Sequence, residues 1–215
     1  MTTHVVTNDV LAAYDREELE LRQRLMDGTL EPRKVFSGLK KLIKTCSWPK
    51  FSTWRTIRHH EQRNAENYRD GIKQAGCCFT VWASDMLDQF KATTIDDEVD
   101  LGCASVEQLG LKTISSLKTI RERIVELDYS LCLPEDGPVL REQYLDQPPG
   151  ESVLLAMESV CVSGRQSAFS VVEHRGRRLL LGDYGSPETP VPSYTLIVFR
   201  LYKRPIVIHP VPSSR

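Results

Sequence analysis

The chain reads as an α+β protein, with an N-terminal helical region, a mixed segment and a C-terminal antiparallel β-sheet. Three observations predict this. Apolar residues recur at spacings of three, four and seven through the first 90 positions. A polar, acidic stretch over residues 92–100 then breaks that period. Beyond the turn cluster Asp146-Gln147-Pro148-Pro149-Gly150, four β-rich runs follow one another, separated by Ser163-Gly164, Gly176 and Gly185-Ser186-Pro187. The boundary falls near Phe90–Ile95, so residues 1–91 are expected as a helical region and 92–215 as an α+β domain.

The elements can be justified in order. A first helix is expected over residues 10–26, capped by Asn8 or Asp9, with Leu11, Tyr14, Leu21 and Leu25 on one face and Asp27-Gly28 as its stop. A second starts at Pro32, suited to a first helical turn, and runs to about Lys44 with Val35, Leu39 and Ile43 inward. Pro49 interrupts it. A third is expected over 65–75, with Tyr68 and Ile72 as its stripe and Gly76 just past its end. A fourth is expected over 81–90, where Trp82, Met86 and Phe90 recur every four residues.

After the acidic stretch, Val99, Leu101 and Cys103 alternate with polar or small residues, which predicts a strand over 98–104. Ser105-Val106-Glu107-Gln108 has the form of a capping box. Ser115 or Ser116 caps a helix carrying Leu117, Ile120, Ile124 and Leu127. Leu131-Cys132-Leu133 returns as a strand, and Gly137-Pro138 opens a short helix to about Tyr144. Strands over 153–159, 168–174, 178–183 and 194–202 then form a meander, and Ile206-Val207-Ile208 between Pro205 and Pro210 fits an edge strand.

Composition bounds the function. The chain has 215 residues, 28 Lys+Arg against 29 Asp+Glu, and 40% apolar residues. That excludes collagen-like, mucin-like and wholly disordered chains, and it excludes a protein that coats nucleic acid by bulk charge. No basic n-region with an apolar run opens the chain and no apolar stretch approaches a membrane span, so a soluble, cytoplasmic protein is expected. Cys46, Cys77, Cys78, Cys103, Cys132 and Cys161 form no Cys-x-x-Cys pair and read as reduced, buried thiols.

Several runs carry a resemblance: Tyr68-Arg69-Asp70-Gly71-Ile72-Lys73-Gln74-Ala75-Gly76, Trp82-Ala83-Ser84-Asp85-Met86-Leu87, Glu98-Val99-Asp100-Leu101, Glu107-Gln108-Leu109-Gly110, Gly137-Pro138-Val139-Leu140-Arg141 and Tyr144-Leu145-Asp146-Gln147-Pro148. In this order the chain resembles a set of uncharacterised bacterial proteins of candidate-phylum genomes, from about Pro32 to Phe199. The resemblance implies a cytosolic bacterial protein. It implies no activity, cofactor or catalytic residue.

Near neutrality hides a segregation. From Pro32 to Lys73, eleven cationic residues face three acids, a formal +8. From Ser84 to Glu107, seven acids face Lys91 alone, a formal −6. Such asymmetry points to a partner or to internal pairing. The expected contact surface is the basic segment Arg33–Lys73, with Lys40, Lys41, Lys44, Trp48, Lys50, Trp54, Arg55 and Arg58 as the candidate partner-binding residues. Cations contact phosphate and aromatic faces stack on bases, so a nucleic-acid partner fits, as does a protein. The competing expectation is that the tryptophans are core anchors and the basic face is neutralised by the acidic segment. A helix-turn-helix over 65–90 is disfavoured because its second helix carries Asp85 and Asp88.

Catalytic patterns are sparse. His59-His60 are neighbours that point in different directions, no His-x-x-x-His occurs, and no metal or cofactor is expected. Cys77-Cys78 between two helices reads as a packing corner more than as a nucleophile. No phosphate-binding loop, dinucleotide fingerprint or nucleophile elbow is present. The leading expectation is a non-catalytic binding or regulatory module. The alternative is an enzyme with dispersed residues, in which Glu173, His174, Asp183 or Tyr184 meet the Gly137–Gln147 segment in a pocket between it and the sheet.

Overall fold

A computed structural model of the chain describes residues 19–35, 37, 50–60, 63–92, 97–111 and 113–201. It divides into two compact units, Met1–Trp48 and Pro49–Arg215. In the first, residues 19–26 and 32–35 are helical. The expected stop at Asp27-Gly28 is present: Gly28 has φ +75° and the Leu30 amide donates to the Arg24 carbonyl at 2.9 Å. The outer parts of the first two expected helices lie outside the described residues, as do Cys46 and the expected edge strand at Ile206-Val207-Ile208.

The second unit mixes helices and strands, in agreement with the α+β expectation. Its elements are β1 (Arg55–Arg58), α1 (Ala65–Gln74), β2 (Cys78–Phe79), α2 (Val81–Leu87), β3 (Glu98–Ser105), β4 (Ser115–Ser116), α3 (Leu117–Glu126), α4 (Asp136–Gln143), β5 (Ser152–Leu155), β6 (Val160–Val162), β7 (Arg165–His174), β8 (Arg177–Tyr184), β9 (Pro190–Val191) and β10 (Leu196–Arg200). Local chemistry accounts for the helices. Asn64 and Asn67 cap α1 reciprocally, each side chain accepting from the other's amide at 2.9–3.0 Å. Thr80 caps α2 and Ser116 caps α3, each accepting a backbone N–H at 3.2 Å. The Ser105–Gln108 box also forms, but it closes a turn and no helix follows.

The sheet departs from the expected antiparallel meander. Its order is β1-β3-β10-β5-β7-β8-β2, with β6 also on β7. Two of its pairings are parallel, β10 with β5 and β2 with β8. The meander survives in the β6–β7 and β7–β8 hairpins. Their two-residue turns, Ser163-Gly164 and Arg175-Gly176, have positive φ at both positions, which matches the twist of the strands they join. β10 inserts at the centre, between β3 and β5, instead of following β8 in the meander. Its run Ile197-Val198-Phe199 is buried throughout, and a strand apolar on both faces belongs in the middle of a sheet. The sheet also takes β1 and β2 from the region read as helical. Arg-Thr-Ile-Arg offers only Ile57 to the core, too little for its period to be visible.

The registers place Ile57, Val99, Leu101, Val198, Val153, Val171, Phe169 and Leu180 on one face. α1, α2 and α4 cover it. The other face carries Phe199, whose ring meets Phe51 and Tyr129 at centroid distances of 5.3 and 5.2 Å. α4 sits close because Gly137 has no side chain: a Cβ there would lie 2.7 Å from the Phe169 ring, which is itself fully buried. Gly137→Ala is therefore expected to lower unfolding free energy by about 1–3 kcal/mol through overpacking, measured by urea denaturation. Unchanged stability would show that α4 has room to shift.

Candidate functional site

Of the basic residues singled out in the sequence, Lys40, Lys41, Lys44 and Trp48 lie outside the described residues. Lys50 is exposed. Trp54 is half-buried and packs edge-on against Tyr144, with centroids 5.1 Å apart. Arg55 lies over the Tyr144 ring at 3.9 Å and pairs with Asp146 at 2.7 Å. The Arg58 backbone is held at both ends by the Gln143 side chain, at 3.0 and 2.7 Å. Further along, Arg63 donates to both Glu142 oxygens at 2.8 Å, and Arg69 reaches Asp88 at 2.6 Å. The two oppositely charged segments do meet within the fold. β1 pairs with β3, Arg58 stands opposite Glu98, and the Thr56 hydroxyl donates to Asp100 at 2.5 Å.

The residues of the catalytic alternative do not converge. Glu173 is buried, and its two oxygens accept the Gly150 and Gly176 amides at 2.5 Å, clamping the β7–β8 turn. Asp183 stands opposite Ala168 and Tyr184 opposite Ser167, at the other end of the same hairpin. The interface between the sheet and the 137–147 segment is filled by Phe169 and by Arg141. The Arg141 guanidinium is fully buried and donates to Gln147 Oε1 at 2.5 Å and to the Tyr144 carbonyl. Among the described residues no group of three His, Cys, Asp or Glu side chains could hold a metal ion. Cys77 leads into β2 and Cys78 occupies it, just ahead of the α2 N-cap Thr80, and the buried Cys77 thiol faces the Ala75 and Arg141 carbonyls at 3.6 Å. Burial pushes the Cys103 thiol up to about 12 and the Cys132 thiol well above its ordinary value.

A second fully buried charged group is Asp136, which the sequence presents only as turn chemistry before Gly-Pro. Its carboxylate is fully buried. His59 Nε2 donates to Oδ1 at 2.9 Å, Arg200 Nε donates to Oδ2 at 2.7 Å, the second Arg200 nitrogen donates to Oδ1 at 2.6 Å, and the Leu133 amide donates to Oδ2 at 2.8 Å. An ionised carboxylate accepts only, so His59 carries its proton on Nε2. Burial opposes the charge, but the hydrogen bonds of His59 and Arg200 outweigh it and hold the carboxyl below its ordinary value. With His59 only 1% exposed, this cluster is a structural tie and presents no group to a substrate.

An open cavity of about 250 Å³ lies elsewhere, at the far end of the β7–β8 hairpin, lined by Trp82, Arg165, Gly182, Asp183 and Tyr184. Arg165 lies over two rings, 5.2 Å from the Trp82 centroid and 4.7 Å from that of Tyr184. The Trp82 indole N–H donates to the buried Ser167 hydroxyl at 2.8 Å. The same ring rests on Gly182, where any Cβ would collide with it. Trp82 is legible in the sequence as a helix-face residue, while Tyr184 falls just past the expected strand over 178–183. Arg165 falls before the expected strand. Their meeting depends on register and on the seating of α2, for which the sequence carries no local signal.

No protein family, curated protein or solved structure matches the chain. No helix among the described residues is long and apolar enough to cross a membrane.

Asp136→Asn leaves Arg200 and His59 facing a neutral amide in a buried site. It is expected to cost about 3–5 kcal/mol, read by chemical denaturation at pH 7. The folded carboxyl titrates below its unfolded value, so its contribution is complete above pH ~3.9 and is lost as pH falls through the lower folded value. A wild-type stability that stays level through that acid range would overturn the assignment.

Proposed function

We propose that the chain is a non-catalytic binding module whose contact site is the Trp82–Arg165–Tyr184 cavity. One observation carries the reading. The Arg165 guanidinium has no hydrogen-bond or ion-pair partner among the described residues, yet two aromatic rings hold it at an open cavity. The contrast with the basic segment supports this choice. There Arg55, Arg63 and Arg69 are engaged by carboxylates within the fold, so their charge is spent on structure.

The wall is preorganised. Trp82 is fixed by Ser167 beneath it and by the glycine against which it lies, so a ligand stacking there orders few new rotamers. Tyr184 is 61% exposed, with ring area available to a partner. At about 250 Å³ the space is smaller than pockets for drug-sized ligands and suits a single ring or one inserted side chain.

The test is a fragment titration of the full chain, followed by the indole N–H resonance of Trp82. Ligands are expected to shift that resonance, to bind about two- to fivefold more weakly to Tyr184→Ala, and to be recovered chemically unchanged. Ligands that cluster at other residues, or that are converted to product, would overturn the reading.

A further inference from the structure

The Trp82–Arg165–Tyr184 cavity is built to recognise a particular chemistry, and the argument rests on the binding-module reading. A guanidinium held 5.2 and 4.7 Å from two ring centroids keeps its N–H groups available to a ligand. Those donors match a two-oxygen anion, carboxylate or phosphate, in a forked pair of hydrogen bonds. In this chain the fork is unspent. No carboxylate among the described residues lies within ion-pair distance of Arg165, whereas Arg63 and Arg200 each close such a fork on an internal acid.

The charge around the fork points the same way. Ser167 pairs with Tyr184 and Ala168 with Asp183, so strand alternation turns the Asp183 side chain from the face that carries Arg165, Ser167 and Tyr184. Arg165 is thus the charged side chain on the cavity's own face. The rest of the lining is Trp82, Tyr184, Gly182 and Asp183, the last with its side chain directed by alternation to the other face of β8. A ligand that satisfies all of this has a planar ring to lie against Trp82 and Tyr184 and an oxyanion at the ring's edge to meet Arg165. The cavity volume admits one such ring.

We infer that this site binds a small planar oxyanion, an aryl carboxylate or an aryl phosphate, with Arg165 as the anion-binding residue and Trp82 and Tyr184 as the stacking walls. The anion makes the specific contact and the rings supply sequence-independent area, so affinity depends on charge first and on ring shape second.

The experiment titrates the full chain with benzoate, phenyl phosphate, neutral benzamide and inorganic phosphate, following the Trp82 indole resonance. Benzoate or phenyl phosphate is expected to bind at least about tenfold more tightly than benzamide, and Arg165→Gln to remove that preference. The benzoate and phenyl phosphate arms separate the two anion classes. Inorganic phosphate is expected to bind more weakly than phenyl phosphate, because it lacks the ring. Arg165 is exposed, so Arg165→Gln is expected to fold, and unchanged dispersion of the remaining indole resonances checks this. Benzamide binding as tightly as benzoate, or an undiminished preference in Arg165→Gln, would overturn the anion inference while leaving the cavity as a contact site. If none of the four probes moves Trp82, both the inference and the reading beneath it fall.

Discussion

The fold turns on one buried charge. Asp136 sits in the interior, fully buried, and an isolated carboxylate there would be prohibitively costly. Its partners are therefore obligatory, and they come from separate parts of the chain. His59 follows β1 at one edge of the sheet, Arg200 ends the strand beside β3 and β5, and the Leu133 amide belongs to the turn that opens α4. Satisfying one carboxylate thus fixes the position of α4, the first strand and the last strand together. Arg200 gains as well. Burial works against its charge, but Asp136 more than restores it.

Once α4 is seated, the neighbouring polar chemistry follows. Gln143 closes on the backbone of Arg58, Glu142 receives Arg63, and Asp146 receives Arg55 over the Tyr144 ring. Burial raises the Glu142 carboxyl, with Arg63 opposing that rise, so the pair holds only while the helix stays in place. Gly137 allows the approach that makes this geometry possible. Arg55 and Arg63 of the basic segment are engaged here, and Arg69 is engaged by Asp88, so these three guanidiniums are not free for a partner.

What the sequence shows depends on the range of the interaction. α1 is legible because Tyr68 and Ile72 form an apolar stripe closed by Gly76, and α3 because Ser116 stands where a cap belongs and an apolar stripe follows it. The β7–β8 hairpin is legible because Gly176 marks its turn. β1 is not, since Arg55 and Arg58 mask the single inward Ile57. The central position of β10 had a signal in its unbroken apolar run, but a meander expectation placed it beside the strand over 178–183. Asp136 looks like a turn residue because half of its role is local, through Leu133. The other half spans 77 residues to His59 and 64 to Arg200, and no local pattern encodes that. The same holds for the cavity. Trp82 and Ser167 meet across 85 residues.

Arginine shows how to separate a structural cation from an available one. Arg141 is fully buried among carbonyl oxygens, with its Nε unpartnered, and burial lowers its hold on the proton. Removing it would open the core. Arg63 and Arg200 are closed by carboxylates. Arg165 differs from all three: it is exposed, unpaired among the described residues and held only by ring faces, a contact worth about 0.5–1 kcal/mol at an exposed site. So small a contribution means that the fold does not depend on it. The rings nonetheless restrict where the guanidinium can go, and Trp82 is restricted in turn by Ser167 and Gly182. On the binding reading proposed above, a side chain of little structural consequence, kept in place by two large aromatics whose exposed surface itself carries a solvation cost, serves contact with something outside the chain, and its free hydrogen-bond donors set the chemistry of that contact.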